Sequence, residues 1–259
     1  MKRFLKLYSI EQKLFFRTPD AFLFGICMPL VALILIAVIA GGKTAGNTDM
    51  TYLETSFVAL SAVGICCYAF MSIPIVLVDY RDKKILKHLY CSPCSPFKLL
   101  MADVMCSGIM SVISVIILTL VACLGFGYRM SGNVFAYIGC WFLTLVSMFS
   151  IGLLIASLCK TSKSMGIVTT IVYFPMLLFS GTSIPYEVLP GGMQKIANIL
   201  PLGVGIRLMK AVSSSAGIAG HVHELIILVV IAVVCGGIAV KTVNYPLSKA
   251  NGLPASSTS

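Results

Sequence analysis

Six stretches of this chain, near residues 21–42, 57–78, 104–127, 134–159, 165–184 and 224–240, are long, apolar and free of charge except at their edges. A bilayer core needs roughly 20 helical residues to cross it, within a range of about 17–25. Lipid offers no hydrogen bonds to stray backbone groups, so runs of this kind are expected to be continuous helices. Composition agrees, with 58% hydrophobic and 11% charged residues, against about 45–50% and 25% in soluble domains. The expected fold is an all-α integral membrane protein with six transmembrane helices, occupying residues 19–245. The first run exceeds the usual length of a signal-peptide core, so it is read as a retained span and not as a cleaved leader.

The net charge of +10 invites a nucleic-acid reading, but its distribution argues otherwise. Lys2, Arg3, Lys6, Lys13 and Arg17 precede the first run, and Arg81, Lys83, Lys84, Lys87 and Lys98 lie between the second and third. Lys160, Lys163, Lys241 and Lys249 fall on the same side, giving 14, against 5 on the other: Lys43, Arg129, Lys195, Arg207 and Lys210. Basic residues accumulate on the cytoplasmic side of a membrane protein. Both termini are therefore expected in the cytoplasm, with the protein multi-pass in the cell membrane, in contact with lipid and without a nucleic-acid partner. The ten cysteines lie in or at the ends of spans, or in the cytoplasmic loop. They read as small apolar fillers in a reducing compartment.

Residues 1–18 have the pattern of an amphipathic helix lying in the membrane interface. Lys6, Lys13 and Arg17 share its basic stripe with Lys2, while Phe4, Leu7, Leu14 and Phe15 face the other way. Glu11 sits within the apolar face, which implies a protein neighbour as well as lipid. Residues 185–212 are too apolar for a solvated loop and too interrupted, by Pro185, Pro190 and Pro201, for a span. They read as an outer re-entrant segment between the fifth and sixth spans, made of two short helices near 192–200 and 202–212. Residues 246–259 read as a disordered tail. Pro29, Pro74 and Pro175 fall inside runs one, two and five. Each removes a backbone hydrogen bond and marks a place where a span bends, through packing or as part of a gate.

Catalytic and cofactor motifs are weak. "GGKT" at 41–44 has Ala37 where a phosphate-binding loop needs glycine, and it lies on the outer side. "CSPC" at 91–94 has neither a second ligand pair nor a thioredoxin-like setting. His221 and His223 with Glu224 are too few to specify a metal. No cofactor, metal or catalytic site is expected on the chain itself. Proton- and ion-coupled transporters carry ionisable groups at membrane depth, and the six runs have none there. If the chain moves a solute uphill, the energy should arrive mechanically from the cytosol.

The place for that contact is the 79–102 loop. "RDKKILKHLYCSPCSPF", residues 81–97, has five charges in its first seven residues and then two prolines. Ile85, Leu86 and Leu89 recur at helical spacing among Arg81, Asp82, Lys83, Lys84 and Lys87, and Pro93 ends the pattern. It reads as a short basic helix on the inner face.

Taken together, these pieces resemble the membrane-spanning subunit of an ABC transporter of the type-2 exporter class. The N-terminal amphipathic helix followed by "RTPDAFLFGICMPLVALIL" resembles that family's connecting helix and first span. "ILKHLYCSPCS" resembles its coupling helix, with Leu86, Leu89, Ser92, Pro93 and Ser95 on recurring positions. "SGTSIPYEVLPGGMQKIANILPLGVGIRLMKAV" resembles its re-entrant segment, with Pro185, Leu189, Pro190, Gln194, Pro201 and Leu202 matching. The departures are Lys84-Ile85-Leu86-Lys87, where Gly-Thr-Leu-Glu is common, Gly192 for an aromatic residue and Lys210 for arginine. The resemblance implies export of a hydrophobic or amphipathic substrate such as a drug, antibiotic or lipid. It also implies two copies of a cytosolic ATPase holding ATP and Mg, and a second permease copy or a sister permease. The rival reading is a secondary transporter or channel that acts without an ATPase.

Overall fold

The computed structural model describes residues 12, 23–40, 51–82, 96–128, 130, 132–159, 161–179, 200–214 and 220–250. Among these the regular structure is helical, with no strand. Eight α-helices follow in order: α1 Met28–Ala40, α2 Tyr52–Cys67, α3 Ile73–Asp82, α4 Pro96–Leu120, α5 Val134–Leu158, α6 Ser162–Phe179, α7 Pro201–Ser213 and α8 Val222–Ala250. Three π-helical segments adjoin them, Leu23–Cys27 before α1, Tyr68–Ser72 between α2 and α3, and Val121–Gly125 after α4. Helices thus fall within each of the six apolar runs over its described residues. Among the described residues, four helices are long and apolar enough to cross a membrane: Tyr52–Val78, Leu100–Gly125, Val134–Leu158 and Val222–Thr242. Leu23–Ile39 and Ser162–Leu178 are shorter apolar helices.

Local chemistry sets several boundaries. The second run begins at Tyr52, not at 57, because Thr51 and Glu54 form the T-x-x-E pattern of a capping box. The Thr51 N–H donates to Glu54 Oε2 at 2.9 Å, satisfying a donor that the helix start would leave bare. Asn133 starts α5, its Oδ1 accepting from the backbone N–H groups of Phe135 and Ala136 at 3.0 and 3.3 Å. Thr161 does the same for α6 by accepting from the Ser164 N–H at 3.3 Å. The last helix runs on to Ala250, into the stretch read from sequence as a tail.

Pro29 and Pro74 both stand at the second residue of an α-helix that follows a π-helical segment. Proline cannot donate to the carbonyl four residues back. For Pro29 that carbonyl belongs to Gly25, and it is taken by the Ser114 hydroxyl of α4 at 2.7 Å. A side chain from a neighbouring span thereby supplies the bond that the proline removes, as lipid cannot. Pro175, by contrast, lies within continuous α6.

The centre of the bundle is the α2–π–α3 unit. Its apolar window is 83% buried, against 11% for that of α8, so the second span is surrounded by protein while the last faces outward. It packs against α1, α4, α5 and α7, and its α3 end against α6. Tyr68, Phe70, Ile65 and Ile73 are among the largest fully buried side chains, so the core lies at its middle. Helix α7 also lies inside, packed against α2, α5, α6 and α8. Most of its residues from Leu202 to Ser213 are buried, with Arg207 and Lys210 on the less buried side.

Candidate functional site

Four spans converge on the π-helical segment Tyr68–Ser72, and they do so through small residues and neutral polar groups. The Ile73 N–H donates to the Tyr68 carbonyl, a span of five residues that defines the π turn. From the first span, Gly25 lies under the Tyr68 ring; a Cβ there would be 2.5 Å from Tyr68 Cζ and 2.7 Å from its hydroxyl. From α5, Gly152 lies against the Ala69 backbone so closely that an added Cβ would run into the Ala69 carbonyl oxygen. From α4, the Ser107 hydroxyl is 3.0 Å from that of Ser72. From α6, Tyr173 Oη is 3.0 Å from Cys67 Sγ.

The seam continues along the second span toward its Tyr52 end. The hydroxyls of Ser61 and Tyr137 are 2.9 Å apart, both on buried residues. Gly205 of α7 meets Thr144 of α5, where a Cβ would come 2.6 Å from Thr144 Cγ2. Beyond the membrane helices, Tyr128 folds back with its ring centroid 4.7 Å from that of Phe57. Burial there holds its phenol above the ordinary range. Small residues let membrane helices approach, and hydroxyl contacts between them are worth on average about 0.6 kcal/mol each. The junction is close-packed yet held by individually weak, uncharged bonds. π-helical segments recur at functional sites.

Among the described residues, two carboxylates are buried in the bundle, Asp103 on α4 one turn before Ser107, and Glu224. At the start of α8, Glu224 is only 5% exposed and faces two histidines. His221 Nδ1 is 3.2 Å from Oε1, and His223 Nδ1 is 3.0 Å from Oε2 at ion-pair distance without a hydrogen bond. Among the described residues, no group of three or more His, Cys, Asp or Glu is arranged to hold a metal.

The residues singled out from the sequence distribute as follows. Arg81 and Asp82 lie in the last turn of α3, continuous with the π segment through Pro74. Lys83, Lys84, Ile85, Leu86, Lys87, Leu89 and Pro93 lie outside the described residues, as do Lys6, Glu11, Lys13 and Arg17. So do Pro185, Leu189, Pro190 and Gln194, whereas Pro201 opens α7 and Leu202 is fully buried in it. Pro29 and Pro74 adjoin π segments at the junction, and Pro175 follows Tyr173 in the helix that reaches it. Sequence reading missed the seam itself. Its signal was present as Gly25, Ser61, Ser72, Ser107, Ser114 and Gly152 recurring inside apolar runs, the small and hydroxyl residues that membrane helix contacts favour.

Comparison with known proteins bears on the whole arrangement. The model of the ABC-2 type transporter family matches residues 3–213. The chain is also similar to the inner membrane transport permease YhhJ of Escherichia coli strain K12, 26% identical over 137 residues. The protein of the same name from Shigella flexneri matches to the same extent. Each alignment covers 52% of this chain and 37% of the relative, so the chain spans well under half of the relatives it matches.

Proposed function

Because the chain belongs to the ABC-2 type transporter family, matched over residues 3–213, we propose that it is the membrane-spanning permease subunit of an ATP-binding cassette exporter. In this reading it spans the cell membrane six times with both termini in the cytoplasm. The first and fifth spans are residues 21–42 and 165–184. Two cytosolic ATPase subunits bind ATP and Mg, and a second permease copy or a sister permease closes the path. Residues 185–212 form the outer re-entrant segment, and residues 1–18 the interfacial connecting helix. The substrate is hydrophobic or amphipathic, since among the described residues neutral side chains dominate the buried helices.

The observation that carries the mechanism is the continuity of the second span. It runs as helix from Tyr52 to Asp82, is the most buried of the long spans, and ends at the segment read as the coupling helix. ATP-driven closure of the ATPases pushes on residues 81–97. The α3 helix carries that push to the π segment, where weak neutral contacts to four other spans are exchanged. Pro29, Pro74 and Pro175 lie on the elements that move, and tilting of the second and third spans opens the path on the other side.

The test uses the full chain with its ATPase. Leu86→Asp and Leu89→Asp should each weaken ATPase binding by about 2 kcal/mol, a hot-spot loss of roughly 30-fold in affinity. ATP-dependent transport in proteoliposomes should fall with it, while membrane insertion is unchanged. Normal transport by both variants refutes the coupling role. Uphill transport by the chain alone would establish the secondary-transporter reading instead.

A further inference from the structure

Beside the α4–α5 connection the bundle is not closed. An apolar cavity of about 770 Å³ lies between α2, α4 and α5, with Phe57, Val115, Thr119, Tyr137, Ile138 and Trp141 among its walls. That volume is in the range of about 300–1,000 Å³ found for ligand pockets. Two wall hydroxyls are committed, Thr119 Oγ1 donating to the Val115 carbonyl at 2.7 Å and Tyr137 Oη pairing with Ser61, while Tyr128 Oη and Trp141 Nε1, also on lining residues, are buried without a hydrogen-bond partner among the described residues. A buried water makes about three hydrogen bonds, within a range of about two to four, and these two polar atoms are at most the low end of that number in a space otherwise walled by apolar groups. No charged side chain among the described lining residues can hold a headgroup or an ionic ligand.

The position of the cavity identifies its occupant. On α4, Ile109, Ile113, Ile116 and Leu120 form one exposed apolar stripe, and on α5, Phe135, Ile138, Phe142 and Val146 form another. Such stripes on membrane-crossing helices are their lipid-facing surfaces. The cavity lies between the two, and Ile116, Leu120, Ile138 and Phe142 at its rim are 46–52% exposed. Its mouth is therefore continuous with the surface that the bilayer covers, near the C-terminal end of α4 and the N-terminal end of α5.

We propose that this cavity is a lipid site that takes one acyl chain of a membrane phospholipid, wedged between the second, third and fourth spans. The headgroup stays outside, at the level of the α4–α5 connection. The proposal does not depend on the coupling mechanism above, only on the helices lying in lipid.

Trp141 provides the test, because it is the single tryptophan of the chain and lines the cavity while only 3% exposed. The purified full-length chain in detergent is titrated with a phosphatidylcholine brominated on its acyl chain, and Trp141 quenching is followed. The expected result is saturable quenching that reaches a plateau near one lipid per chain. Ile138→Phe, a substitution at the exposed rim that leaves folding undisturbed, should narrow the mouth and weaken the saturable component at least fivefold; Val115→Phe should abolish it by filling the interior. Thermal melting of each variant confirms that it is folded. Quenching that rises in proportion to lipid without a plateau shows ordinary surface contact and overturns the site. Saturable quenching untouched in folded Ile138→Phe and Val115→Phe overturns it too. Protection of Trp141 only on self-association would assign the cavity to a second copy of the chain, and likewise overturns the lipid assignment.

Discussion

Replacing Gly152 by alanine tests how tightly the second span is held. A Cβ at Gly152 would meet the Ala69 carbonyl oxygen far inside the 3.0 Å below which such contacts essentially never occur, with the Ala69 carbonyl carbon 3.1 Å away. The obstacle is backbone, which cannot rotate aside as a side chain tip could. Helix α5 and the π segment must separate by on the order of an ångström, disturbing the neighbouring Ser72–Ser107 and Cys67–Tyr173 contacts. Overpacking of this kind costs about 1–3 kcal/mol, and a rigid wall places it near 3. The better helix propensity of alanine returns about 1 kcal/mol, leaving a net loss of about 2. The same helix supplies the control. Gly139 has no heavy atom within 4 Å of its added Cβ, so Gly139→Ala should gain about 0.4–1 kcal/mol. The assay is unfolding in mixed detergent micelles by added SDS, followed by the fluorescence of Trp141 on that helix. The two substitutions should move the midpoint in opposite directions, with a spread of about 3 kcal/mol. A Gly152→Ala protein as stable as Gly139→Ala would refute close approach of α5 to the π segment.

Other substitutions probe the remaining contacts. Ser114→Ala leaves the Gly25 carbonyl, already denied a donor by Pro29, without its cross-span partner, and should cost about 1–2 kcal/mol in the same unfolding assay; an unchanged midpoint would show that the bond contributes nothing. Glu54→Ala removes the side-chain half of the Thr51 capping box and should lose about 1 kcal/mol, seen as earlier hydrogen exchange at the first turn of α2. For Ser61 and Tyr137, a double-mutant cycle with Ser61→Ala and Tyr137→Phe should return a coupling of about 0.6 kcal/mol. A coupling of zero would mean that the two hydroxyls are near each other without being bonded.

Much of the architecture was legible from residues alone, for a simple reason. Apolar length is a one-dimensional property, and a bilayer turns it directly into helix, because unpaired backbone has no other refuge. The six runs, the start of α5 after Asn133 and the onset of α7 at Pro201 could all be read in this way. The earlier start of α2 was available too, in Thr51 and Glu54, but is overlooked when apolarity alone marks the boundary. Pro29 and Pro74 announced where spans depart from regularity, whereas Pro175 stands within continuous α6. They did not announce that Pro29 and Pro74 would follow π turns, or that Ser114 would complete the Gly25 carbonyl. Those depend on which face of α4 meets the first span.

The sequence by itself determined that this chain lives in lipid as helices, with charge at the edges of its apolar runs. Only the tertiary structure decided which span is central. The four long helices differ little in mean hydropathy, 2.1 for the second span and 2.6 for the last, a narrow range beside burial of 83% and 11%. The difference arises from shape. Gly25, Gly152 and Gly205 permit approaches that any side chain would block, and a fit between surfaces exists only once both are in place.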